Sequence, residues 1–255
     1  MTKVWVIALN TFKGAVRDRV LYSIGVFAVL IIASSLVAQE ITIGDQFKVV
    51  RGVAQSAISV FLSLIAMFYG TSLIWRELDR RTIYNVLSKP VSRASFVLGK
   101  FFGLVMTLWL LIVVMGTLYL LFVAPQQGFP HVSFFVFLAL LGLELALLTA
   151  WATLFSTASS QTTAAAFTLA VFVIGHLADD IWLFGQGAET AWMKTLSAVT
   201  YWLLPNFEVF NVQPQAAHQV AIDTAFIVDA VVYGLAYTTV VLVIAVGVFN
   251  RRDFK

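Results

Sequence analysis

Glu144 is an ionisable side chain set between Leu143 and Leu145, about midway along an apolar run. A carboxylate at such depth is costly to bury and is a functional candidate by default, as a contact for a substrate, a proton or an ion. It can equally be a protonated or hydrogen-bonded glutamate that holds helices together, and the lack of a basic partner in any span favours that structural role. Ser56, Ser59 and Ser63 recur at three- and four-residue spacing, with Gly70 further along. On a helix they share one face, which suits close packing with hydrogen bonds between helices, or a polar strip along a substrate path. His176, Asp179 and Asp180 have spacing that permits a weak metal or cation site, which His131 and His218 could join. Three scattered histidines without a cysteine make a poor metal set, so no metal is expected and polarity at an interface is the better reading.

A second chemistry is docking. Six basic side chains, Arg76, Arg80, Arg81, Lys89, Arg93 and Lys100, crowd between two apolar runs, with Glu77 and Asp79 among them. Arg76 to Leu87 can form about three helical turns. Leu78, Ile83, Val86 and Leu87 supply an apolar edge. Pro90 ends the turns, and Ser92 suits the N-cap of the next helix. A short helix held between two spans, parallel to the membrane, passes a push to both. Glu77, Asp79, Arg80, Arg81, Ile83, Val86 and Leu87 are the expected contacts to a motor. The plainer alternative is an ordinary basic loop. No Gly-x-x-x-x-Gly-Lys-Ser/Thr loop is present, so a motor that uses ATP must be another polypeptide.

The elements that position these residues follow from composition. The chain of 255 residues is 60% hydrophobic and 11% charged, with a mean hydropathy of +0.92. Soluble domains are about 45–50% apolar and about 25% charged. An all-α polytopic membrane protein is expected, one transmembrane domain over 1–255. Cysteine is absent, which excludes disulfides and thiolate metal sites. The net charge of +3 reflects membrane topology rather than nucleic-acid binding.

Six runs approach the roughly 20 residues a span needs: about 20–38, 53–75, 96–123, 132–155, 163–184 and 223–249. The first is as long as a full span and follows a polar stretch, which argues against a cleaved leader. In residues 1–19, Trp5, Ala8, Leu9, Phe12, Ala15 and Val16 recur at helical spacing opposite Lys3, Asn10, Lys13 and Arg17. This suits a helix lying in the interface. Thirteen of the sixteen Lys and Arg fall in the N-terminal segment, the 76–100 stretch and the C-terminal tail, leaving Lys48, Arg51 and Lys194 on the other side. The positive-inside rule makes both termini and the 76–93 segment cytoplasmic. On the external side, 188–204 reads as a helix rich in Trp192, Tyr201 and Trp202, stopped at Pro205. No internal repeat is evident, which weighs against an inverted-repeat carrier.

Four stretches resemble the permease subunits of type-2 ABC transporters: Glu77…Arg81-Thr82-Ile83…Leu87-Ser88-Lys89-Pro90-Val91-Ser92-Arg93…Leu98-Gly99-Lys100; Ala8-Leu9-Asn10-Thr11-Phe12…Arg17-Asp18-Arg19; Leu203-Leu204-Pro205-Asn206-Phe207-Glu208-Val209-Phe210-Asn211; and Phe249-Asn250-Arg251-Arg252-Asp253-Phe254. The order of all four covers essentially the whole chain. The nearest branch is the one containing the accessory permease for copper-site assembly in nitrous oxide reductase. Arg81 departs from the family, where a glycine before the threonine is frequent. The resemblance implies an N-terminal elbow helix, a coupling helix between spans two and three, short external helices between spans five and six, a dimer of permeases and two ATP-binding subunits.

The expected function is therefore the membrane subunit of an ATP-driven exporter in the bacterial inner membrane. It is a permease rather than an enzyme, with ATP and Mg on two copies of a soluble ABC ATPase and a second permease copy as a homodimer partner. Its cavity is expected to be apolar. The alternatives are a membrane anchor passing ATP-driven motion to an external accessory protein, and an ATP-independent channel or carrier.

Overall fold

The computed structural model describes residues 3–18, 25–26, 30, 46–79, 92–127 and 129–251. Among these, all regular structure is helical: α1 (Lys3–Val16), α2 (Gln46–Asp79), α3 (Arg93–Gln127), α4 (Val132–Ala158), α5 (Gln161–His176), α6 (Ala178–Gly187), α7 (Ala191–Leu203), a 3-10 turn at Glu208–Phe210, α8 (Gln213–His218) and α9 (Thr224–Arg251).

Four helices are long and apolar enough to cross a membrane, over Lys48–Trp75, Arg93–Val123, Val132–Ala158 and Thr224–Arg251. They answer to the expected runs 53–75, 96–123, 132–155 and 223–249. The expected first span lies outside the described residues, apart from Gly25, Val26 and Leu30.

The fifth run departs from expectation. Instead of one helix over 163–184, α5 stops at His176 and α6 leaves at 62°. At about 1.5 Å per residue, α5 is only about 24 Å long, short of a full crossing. The break follows from local packing. Leu177 takes a non-helical backbone as the cap between the two helices. The chain after Pro205 comes back against the end of α5, where the Phe207 amide donates to the Gly175 carbonyl at 2.9 Å. Gly175 is required there, because a Cβ would lie 2.4 Å from the Phe207 ring and 2.6 Å from the Pro205 carbonyl. The bent pair raises the candidate spans to at most five among the described residues.

α4 is the centre of the bundle. Leu140, Leu141, Leu145, Leu147 and Leu148 are all buried, and α2, α3, α5, α8 and α9 pack around it. A helix apolar on every side belongs in such a position. α2 and α4 meet closely, with the Ser156 hydroxyl donating to the Thr71 carbonyl at 2.7 Å.

α1 packs along α3. Gly99 and Gly103, four apart, let the backbones approach; a Cβ on either would fall 2.6 Å from Ile7 or from the Ala8 carbonyl. The buried stripe is Ala8, Thr11 and Ala15, whereas Trp5 remains 44% exposed. The protein-facing stripe is thus rotated from the one the hydrophobic spacing predicts.

Candidate functional site

α2 turns one edge toward α4 and α5 and carries Ser56, Ser59 and Ser63 on it. Positions separated by three, four and seven share a helix face. The same rule brings Phe137, Leu141 and Glu144 together on α4, and Phe172 with His176 on α5. These faces enclose a cavity of about 220 Å³, whose remaining wall comes from Phe210, Asn211 and Gln213. All five polar residues singled out within the spans, Ser56, Ser59, Ser63, Glu144 and His176, therefore line one space. Its lining mixes these polar groups with Phe137, Leu141, Phe172 and Phe210.

Glu144 is 6% exposed. Its Oε1 lies 3.5 Å from His176 Nε2, within ion-pair range though long for a direct hydrogen bond. His176 supplies the basic partner that the spans were read as lacking. His176 is the last residue of α5, one residue before the break at Leu177. The imidazole is held on its other side by the Phe172 carbonyl, 3.0 Å from Nδ1. A carbonyl only accepts, so Nδ1 carries a hydrogen toward Phe172, and Nε2 is the ring atom turned to Glu144. The ring stacks on Phe207, with centroids 5.3 Å apart and planes 28° apart, and Phe172 lies on it at 4.4 Å.

The wall from Pro205 to Gln213 is a plug that the sequence places in an external loop. Phe207, Phe210 and Val212 are buried in the core. Asn206 fastens the plug: its Nδ2 donates to Asp179 Oδ1 at 2.8 Å, its Oδ1 accepts from the Glu208 amide at 2.9 Å, and its own amide donates to the Tyr233 hydroxyl at 2.8 Å. Asn211 Nδ2 donates to Glu208 Oε2 at 2.9 Å. Gln213 Nε2 donates to Ser56 Oγ at 2.6 Å and to the Gly52 carbonyl at 3.2 Å, tying the plug to α2. Asp179 thus anchors the plug. His131 caps α4, its Nδ1 accepting from the Ser133 amide at 3.3 Å, and His218 ends α8. Among the described residues no three His, Asp or Glu side chains gather as a metal set.

Sequence reasoning missed Asn211 and Gln213 as cavity residues. Asn211 lies in a loop and Gln213 opens the short α8, so neither has a periodicity to exploit. The Pro205-Asn206-Phe207 start was the available signal, a rigid turn followed by an amide that bonds to neighbouring backbone.

The expected docking residues are divided. Glu77 and Asp79 lie on the last turn of α2, whose helix runs on through Asp79 without a break at Arg76. The docking helix expected from Arg76 therefore begins as a continuation of α2. Arg80, Arg81, Ile83, Val86 and Leu87 lie outside the described residues. Beyond them, the Ser92 hydroxyl accepts from the Ser95 amide at 3.2 Å, the N-cap expected for α3. Arg93 Nη1 then donates to the Phe249 and Asn250 carbonyls at 3.2 and 2.9 Å, at the end of α9. Phe96 stacks on Phe249 with centroids 5.8 Å apart.

Compared with known families, residues 5–254 match the family described as ABC-2 family transporter protein. The chain belongs to this family. No curated protein matches it. As an ABC-2 family protein it is a multi-pass membrane permease of an ABC transporter, and membership implies association with an ABC ATPase. Within the ABC-2 permease, α2 has two duties: its N-terminal half lines the cavity and its C-terminal end enters the charged segment.

Proposed function

We propose that this chain is the membrane half of an ATP-driven exporter of the bacterial inner membrane. Two copies assemble as a homodimer with two soluble ATPase subunits, which hold ATP and Mg and carry out hydrolysis. The segment 76–93 receives their motion through Glu77, Asp79, Arg80, Arg81, Ile83, Val86 and Leu87, and both termini share its cytoplasmic side. The charge asymmetry that orients the chain supports this arrangement.

One observation carries the proposal. A single uninterrupted helix bears both the cavity serines and the first residues of the charged segment. From Ser56 to Asp79 it extends about 35 Å. A push at the Asp79 end displaces the Ser56, Ser59 and Ser63 wall against Glu144 and His176, which is what coupling requires. Arg93, clamped to the end of α9, delivers the same push to the last span.

Co-purification with the partner ATPase and substrate flux in vesicles test this reading. Asp79→Lys or Arg80→Glu lowers ATPase recovery while membrane insertion stays normal. Unchanged recovery across several such reversals sinks the docking role. ATPase-bound vesicles that move no substrate favour the anchor for an external protein, and flux without any ATPase favours a channel or carrier.

A further inference from the structure

The polar groups left open in the cavity define what it can bind. The amide of Gln213 is taken up by Ser56 and Gly52, and Asn211 donates to Glu208. No Lys or Arg lines the space. What remains is mostly acceptors. The Glu144 carboxylate meets His176 Nε2 only at 3.5 Å. Ser63 is 3% exposed, and Ser59 and Ser63 both line the space. One carboxylate therefore faces one imidazole, in a space partly walled by Phe137, Phe172 and Phe210.

An anion finds no cationic side chain there beyond a protonated His176. A wholly apolar ligand offers nothing to the Glu144 carboxylate or to the serine hydroxyls. A protonated amine satisfies the whole set. Its three N–H donors match the Glu144 carboxylate and the Ser59 and Ser63 hydroxyls, and its carbon chain lies on aromatic surface, which also attracts cations. The volume of about 220 Å³ admits a small ammonium-bearing group.

We infer that the cavity between α2, α4 and α5 is a binding site for a protonated primary amine, with Glu144 as its counter-ion and Ser59 and Ser63 as hydrogen-bond acceptors. This rests on the permease reading above and names the substrate class of that cavity. On binding, the ammonium takes the side of the carboxylate that His176 faces. The imidazole keeps its bond to Phe172 and shifts away from Glu144.

The chain contains three histidines. The full-length protein in lipid nanodiscs, labelled with carbon-13 at histidine Cε1, therefore gives a readable His176 resonance, assigned through His176→Gln. The probe is n-butylammonium chloride, compared with sodium chloride at equal ionic strength and with n-butanol as the uncharged chain. A saturable shift of the His176 signal with n-butylammonium alone is expected. Glu144→Gln should weaken that binding by roughly tenfold or more, the loss of one charge-assisted contact, and Ser63→Ala by a smaller factor. An equal shift with n-butanol, no saturable shift in the wild type, or unchanged affinity in a folded Glu144→Gln protein overturns the site. If Glu144→Gln does not fold, the n-butanol comparison and Ser63→Ala decide. ATPase co-purification is read on the same preparation. A lost shift with intact co-purification removes the amine site alone, whereas failed co-purification removes the permease reading whatever the shift.

Discussion

His176 Nε2, on the last residue of α5, approaches Glu144 Oε1 to 3.5 Å across the α4–α5 contact. The helix break, the plug and the buried acid are parts of one arrangement.

Replacing His176 tests that arrangement. His176→Ala removes the basic side chain that lies beside a buried carboxylate, and an uncompensated buried polar group costs about 1–3 kcal/mol. The variant should melt at a lower temperature in detergent, and His176→Gln, which keeps a donor, should recover part of the loss. Equal melting of the alanine variant and the wild type would show that the pair contributes nothing to the fold.

Gly175 tests the seat of the plug. Gly175→Ala drives a methyl group into the Phe207 ring and the Pro205 carbonyl. Overpacking of this kind costs about 1–3 kcal/mol. Gly187→Ala is the control, since nothing lies within 4 Å of a Cβ there. Thermal unfolding of the two variants side by side should show a clear drop for the first and little change for the second.

The Ser56–Gln213 contact tests whether the plug moves. The chain has no cysteine, so Ser56→Cys with Gln213→Cys introduces the only thiols. A short bifunctional thiol reagent should bridge them, since the native side chains meet at 2.6 Å. Transport in vesicles should stop on bridging and return on reduction with dithiothreitol. Full transport by the bridged protein would mean that the plug stays on α2 throughout the cycle.

Arg93 tests the link to the last span. Arg93→Ala removes the donor to the Phe249 and Asn250 carbonyls, a loss of about 1 kcal/mol for a partly exposed pair. Amide hydrogen exchange should quicken over residues 249–251 while ATPase co-purification persists. Flux per ATP should fall, because motion entering beside α3 no longer reaches α9. Unaltered exchange and flux would leave the clamp without consequence.

Much of the scaffold was legible in the sequence. Long apolar runs can only be helices in a bilayer, and four of them stand as helices close to their expected bounds. The N-cap at Ser92 and the end of α7 before Pro205 follow from local chemistry. The break at Leu177 was not legible, because Gly175-His176-Leu177 carries no proline and reads as ordinary helix. It forms because Phe207, far along the chain, needs the space beside Gly175. His176, expected as polarity at an interface, lines the cavity instead.

By itself, then, the sequence determined an all-helical membrane protein with one concentrated charged segment, and it identified the polar residues that the apolar runs contain. These are properties of short stretches, set by hydropathy and by backbone chemistry. Only the tertiary structure decided that Ser63, Glu144 and His176 face one another. α4 is apolar around its whole circumference, so no period in its sequence says which side Glu144 turns to α5. That orientation is chosen by packing, through the close approach of α2 to α4 and the return of the Pro205–Gln213 plug against the end of α5.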